Sequence, residues 1–482
     1  MSENLTQILT SGGLIITHSL FTLAIGFYLI TCLQWFSYKF ERVLFHFTKP
    51  AWHVFFAIVP VVLYYTTGKF FWIYFYFAMV PSLYLWNKRL DKKLVFTPRV
   101  KRFFIILIIA LVLENIFCYI SVKCQNLGVI LPLAISFILS FMLEKMNFKM
   151  YEKAALKKLE NMKELKIVLI TASFGKTSIK NFLFEILKDD FKCHKTPRSV
   201  NTLAGLIQDV NSNLSSDTQI YIAEAGARLK GDIAEITAFL RPQIVIVGEI
   251  GAQHIEYFKT LENIRTTKLE ALGSKRLKKA FVHSSTLAKE SEKIEIFDKN
   301  LNEIEANLEG VKFNLEGFKF SSPLLGKFNC ANLAACIKTA LYLGLKADKA
   351  QNLISKLKNV EHRLQRIDAG GKIIIDDSFN GNFNGMSASY ELVASYEGRK
   401  VLITPGIVES TAEDNEKLSK ILNEIFDVVM ISSSLNAASL LKYLTKPKII
   451  IIKDKAKMQE ILAQNTRAGD LILFSNDAPS FM

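Results

Sequence analysis

Apolar positions follow two regimes along the 482-residue chain. Up to about residue 150 they form long runs, at roughly 12–36, 51–66, 70–86, 102–122 and 127–143. A helix that crosses a bilayer takes about 20 apolar residues, so the first and fourth runs suffice and the other three are short. Beyond them the runs become brief and β-branched and alternate with helical patterns. The first set predicts strands at 166–170, 219–225, 243–250 and 279–284, with helices between them that include 176–188 and 261–273. A second set predicts strands at 372–378, 400–406, 427–432, 448–453 and 470–475, and 329–358 reads as all-helical. Such alternation predicts an α/β fold, two parallel sheets in series, each covered on both faces.

Charge sharpens the division. The net charge of +15 suggests a nucleic-acid footprint at first. Residues 1–150, however, hold 14 Lys+Arg against 5 Asp+Glu, and the other 332 hold 46 against 40. Most of the excess lies beside the apolar runs, which argues against nucleic acid as a partner and for a lipid bilayer. The loops after the first, third and fifth runs are basic, whereas the two between are nearly uncharged. By the positive-inside rule this predicts a multi-pass protein of the cytoplasmic membrane with its N-terminus outside and everything after about 146 in the cytoplasm. Glu114, an acid inside the fourth run, is expected to pack against a partner. The six cysteines form no CxxC pair, which predicts free thiols.

Candidate chemistry begins at "ITASFGKTS" (170–178), between a predicted strand and a predicted helix. That is the setting a phosphate-binding loop requires. Backbone N–H groups near Gly175 would cradle phosphates, Lys176 would reach the β/γ-phosphates and Thr177 would hold magnesium. The leading glycine of the usual motif is missing. Glu224 closes the next confident strand, His254 follows another and Lys268 lies on a helix. Singly they are read as a cap, a loop histidine and a solvated lysine.

Together, and in this order, they resemble the Mur ligase family, whose loop reads Gly-Thr-Asn-Gly-Lys-Thr-Thr. The resemblance runs from about residue 166 to the C-terminus. "TPRSVNTLAG" (196–205), "LLGKFNCANLAACI" (324–337), "EHRLQ" (361–365) and "IIDDSFNGNFNGM" (374–386) match further family segments in order. The resemblance implies a central ATP-binding domain at 165–362 and a C-terminal Rossmann-like domain at 363–482. A transmembrane domain (1–148) and a basic, helical connector (149–164) precede them, where the family carries a soluble domain that grips UDP.

It also implies an ATP-dependent amide ligase of peptidoglycan precursor synthesis that adds D-alanyl-D-alanine to a UDP-muramyl tripeptide through an acyl phosphate. Lys176, Lys268, His254 and Arg363 would be catalytic. Ser173, Gly175, Lys176, Thr177, Ser178, Asn329, Asn332, Arg363 and Asp377 would hold ATP. Asn201, Thr202, Asn380 and Asn382 would face the other substrates. Two magnesium ions would be held by Thr177, Glu224, His254 and a carbamylated Lys268. Phe174 departs from the family loop, where Asn stands, and "LFSND" (473–477) departs from its Lys-Gly-Ser. Two other readings are a Mur-type ligase for another carboxylate and amine, and a weakly catalytic membrane scaffold for other cell-wall enzymes.

Overall fold

In the computed structural model the described residues are 2–36, 38, 40, 43, 51–90, 92–121, 128–252, 255–379, 381–408, 411–433, 436–452, 454 and 457–476. The chain divides into two compact units, one of Met1–Met150 and one beginning at Tyr151.

Among its described residues, the regular structure of the first unit is all helical. Helices Ser2–Trp35, Pro98–Ser121 and Ile130–Asn161 accompany a helical hairpin over 51–67 and 71–89 that turns at Gly68–Phe70. Gly12–Trp35 and Ile130–Asn161 are long and apolar enough to cross a membrane. Each arm of the hairpin widens into a π segment, Val54–Ile58 and Phe75–Met79, which ends two residues before Pro60 or Pro81. Proline lacks the N–H and crowds the carbonyl four residues back, and a wider turn relieves both. Glu114 has the partners expected of it: His18 Nε2 lies 3.3 Å away, and the Gly128 N–H donates to it at 2.7 Å. Cys32, Cys193, Cys330 and Cys336 are free, but Cys118 is disulfide-bonded. That corrects the all-thiol expectation.

The second unit holds both expected sheets. The first has the order β2-β3-β1-β4-β5-β6, parallel throughout, from β1 (Lys166–Thr171), β2 (Cys193–Lys195), β3 (Ile220–Ala225), β4 (Ile244–Val247), β5 (Lys279–Val282) and β6 (Ile294–Ile296). Period-two alternation sorts its side chains. Val168, Ile170, Ile222 and Ile246 pack with helices Lys176–Leu187 and Phe328–Tyr342, whereas Ile167, Leu169, Tyr221 and Val245 pack with Leu203–Ser212 and Asp232–Leu240. The chain leaves β1 toward β2 and β3 on one side and later toward β4 on the other. Such a reversal opens a crevice at the strands' carboxyl ends.

A small antiparallel sheet that the pattern did not predict follows: β7 (Leu301–Asn307), β8 (Gly310–Leu315) and β9 (Phe318–Ser322). The second large sheet has the order β10-β11-β15-β12-β13-β14, from β10 (Gln365–Ala369), β11 (Lys372–Asp377), β12 (Lys400–Thr404), β13 (Val428–Ile431), β14 (Lys448–Ile451) and β15 (Leu471–Ser475). Only β10 runs antiparallel to its neighbour.

Candidate active site

The crevice is built at the end of β1. Gly175 has φ +79°, and a Cβ there would fall 2.5 Å from Asn332 Oδ1, so both conformation and space call for glycine. Lys176 Nζ folds back to donate to the carbonyls of Ala172 (2.6 Å) and Ser173 (3.0 Å), which spans the loop. The loop is pinned to the segment after β4. Ser173 donates through N to Glu249 O (2.8 Å) and through Oγ to Gly251 O (3.0 Å). The Phe174 ring lies on Gly251, where a Cβ would come within 2.3 Å of it. The departure from the family's Asn therefore replaces a polar contact with packing, and the backbone donors remain.

Glu224, at the end of β3, gathers the site. It is 1% exposed. Its Oε2 accepts from Thr177 Oγ1 at 3.0 Å and lies 3.2 Å from Lys180 Nζ, and its Oε1 accepts from Asn201 Nδ2 at 3.2 Å. Lys180 also donates to the carbonyl of Arg198. Lys180 was not singled out from the sequence, although it stands four residues after Lys176 and so shares its helix face. Among buried groups an unpaired charge is costly, and this one is paired.

Three more basic groups feel the same carboxylate. Arg363 stacks on Phe379, 4.7 Å from the ring centroid, and feels both Asp377 and Glu224. Burial lowers Lys176 to about 8, with Glu224 acting in the opposite direction. Lys268 is 2% exposed, and burial first, then the charge of Lys176, pushes it well below the usual lysine range. Its amine has no hydrogen-bond partner among the described residues. Glu270, which also acts on it, accepts from the N–H groups of Gly231 and Ala234 at the start of a helix.

Asn332 donates to Asn329 Oδ1, and Asn329 to Leu325 O. Thr202 and Asn382 are helix caps, accepting from Gly205 and Gly385. Ser178 is buried in the first turn after the loop. His254 and Asn380 lie outside the described residues. Asn476, in the divergent "LFSND", has φ +61° and ties together Gly381, Asp377 and Gly406, a bridging role that no motif announces.

Asp377 accepts from Ser389 Oγ (2.7 Å) and the Leu364 N–H (3.3 Å), yet loss of hydration pushes its carboxyl from 3.8 to about 6. The folded protein therefore holds this proton more tightly than the unfolded chain. The group's contribution to stability is full below about pH 4 and is lost as pH rises through about 6. Asp377→Asn is expected to melt higher than the parent at pH 7.5, with the difference shrinking below pH 5. Melting curves across that range check it; equal pH slopes in the two proteins would contradict the assignment.

Comparison with known proteins agrees with this geometry. Residues 170–340 match the Mur ligase middle domain. A UDP-N-acetylmuramoyl-tripeptide–D-alanyl-D-alanine ligase of Bacillus subtilis is 26% identical over 332 residues, 64% of this chain and 72% of the relative. A ligase of the same name from Borreliella burgdorferi is 26% identical over 270 residues, 53% of this chain and 54% of the relative. Among solved structures, MurF ligase from Thermotoga maritima in complex with ADP aligns with a TM-score of 0.60 at 24% identity, covering 68% of this chain and 80% of that one. By its motifs and these similarities, the chain carries a Mur ligase middle domain at residues 170–340 and resembles Mur ligases over the 332 residues aligned with the Bacillus subtilis enzyme.

Proposed function

We propose that the protein is a membrane-anchored, ATP-dependent ligase that joins D-alanyl-D-alanine to the peptide carboxylate of a UDP-muramyl tripeptide. The observation that carries this is the convergence of Lys176, Thr177, Arg363 and Lys268 around Glu224 at the mouth of the Gly175 loop. The names of the two relatives supply the substrate pair.

A carboxylate is a poor electrophile. It attacks the γ-phosphorus of ATP, ADP leaves, and an acyl phosphate forms. The dipeptide's amine then adds to the carbonyl carbon, inorganic phosphate departs, and the nitrogen loses its proton. Two anions must meet in the first step, so charge neutralisation is the main demand on the site. Lys176 and Arg363 supply positive charge, and the N–H groups at the start of helix Lys176–Leu187 supply donors. The Thr177 hydroxyl and Glu224 carboxylate are hard oxygen donors that share a hydrogen bond, which suits magnesium. Bound there, the ion would offset phosphate charge. Lys268, buried and poor in protons, is the form of lysine that carbon dioxide carbamylates, and its carbamate would serve a second ion with His254. Asp377 would meet the ribose, Asn332 and Asn329 the adenine side, and Asn201, Thr202, Asn380 and Asn382 the other substrates. The helices of residues 1–148 would hold these domains at the cytoplasmic face of the membrane, spanning it several times with the N-terminus outside.

The test is phosphate release by the full chain with ATP, magnesium, UDP-muramyl tripeptide and D-alanyl-D-alanine, omitting each in turn. Release that needs both acceptor and donor is expected. Turnover with another amine but not the dipeptide would redirect the assignment within the family. No turnover by a folded protein would leave the scaffold reading.

A further inference from the structure

The first unit contains a cavity that the ligase chemistry does not use. It measures about 850 Å3, within the roughly 300–1,000 Å3 that small-ligand sites span, and lies between the two arms of the hairpin 51–89. Trp52, Phe55, Val59, Leu85 and Trp86 form apolar wall, and Arg89 is the one charged residue of the lining. One feature marks it as more than a packing gap. Among the described residues Arg89, which is exposed, has no hydrogen-bond or ion-pair partner.

We propose that this cavity binds an anionic phospholipid, an acyl chain lying along the aromatic wall and the headgroup phosphate paired with Arg89. The proposal rests on the reading that residues 1–148 lie in the membrane. Charge complementarity selects the occupant: Arg89 ends the hairpin at the start of the basic loop 88–102, on the side where the charge pattern places the cytoplasmic leaflet. A guanidinium pairs with phosphate through two donors, which a zwitterionic headgroup's own ammonium would oppose.

The chain's four tryptophans, Trp35, Trp52, Trp72 and Trp86, all lie in this unit, and two of them line the cavity. Full-length protein carrying Trp35→Phe and Trp72→Phe is placed in phosphatidylcholine nanodiscs doped with brominated phosphatidylglycerol or brominated phosphatidylcholine. Half-maximal quenching is expected at a several-fold lower mole fraction of the anionic lipid. Arg89→Gln should abolish that preference, and Lys88→Gln, with the same change in charge, should keep it. Equal quenching by the two lipids overturns the proposal, as does an equal loss of preference in both variants, which would assign it to the basic loop as a whole. Self-association that displaces brominated lipid would give the cavity to a second copy of the chain. Protein that stays soluble without detergent would remove the membrane reading itself, a result distinct from lost selectivity.

Discussion

Lys176→Ala is expected to lower phosphate release in the presence of both substrates by about a thousandfold, or roughly 4 kcal/mol of transition-state stabilisation. The lysine bridges the Ala172 and Ser173 carbonyls across the loop, so its charge is held at the proposed phosphate site. Burial has already lowered its proton affinity to about 8, and a triphosphate anion would restore it. Lys176→Arg is not expected to rescue, because a planar fork cannot occupy the site of a compact ammonium. The fold should survive: the change costs two hydrogen bonds, about 1 kcal/mol each. Steady-state phosphate release and a melting curve measured together check this. Activity within tenfold of the parent, at an unchanged melting temperature, would remove the nucleotide from the Gly175 loop.

Much of this arrangement is legible in the sequence because strand–loop–helix order is a local property. The runs at 166–170 and 219–225 locate β1 and β3, and the reversal of direction at β1 brings Thr177 to Glu224 across 47 positions. Less legible is anything whose meaning depends on burial. Lys180 looks like a solvated helix lysine until β3 places a carboxylate over it. Thr202 and Asn382 read as substrate contacts, yet their side chains cap helices, which the letters alone do not separate from a binding role. The small sheet β7–β9 eluded the pattern because β7 exposes most of its residues and lacks a clean alternation. The second and third apolar runs read as short but possible spans, and nothing in their length announces the π segments that stand just before Pro60 and Pro81.

The departure at Phe174 shows how a family loop can change letters and keep its backbone donors. A polar Asn is replaced by an aromatic ring, and glycine at 251 gives that ring a seat. The loop is then held by packing together with the two Ser173 hydrogen bonds, while its N–H groups stay available for an anion.

Glu224→Gln should have two separable consequences. The first is chemical: removing the carboxylate takes away the anionic partner of Thr177, and ligase turnover is expected to fall by at least a thousandfold. The second is structural. Lys180 and Glu224 are each 1% exposed, so the variant leaves an ammonium buried without its counter-charge. Breaking a buried pair from one side costs about 3–5 kcal/mol, enough to lower the melting temperature by several degrees. Removing both charges is a different matter, because a buried pair replaced by neutral groups of similar size is often neutral in stability. Glu224→Gln combined with Lys180→Met is therefore expected to recover most of the melting temperature and none of the activity. Lys180→Met alone should melt below the parent without nucleotide and approach it when magnesium and ATP are added, since their binding would supply the missing positive charge and stabilise the fold by mass action. If the double variant regained turnover, the carboxylate would be a structural partner of Lys180 and the metal would have to be held elsewhere.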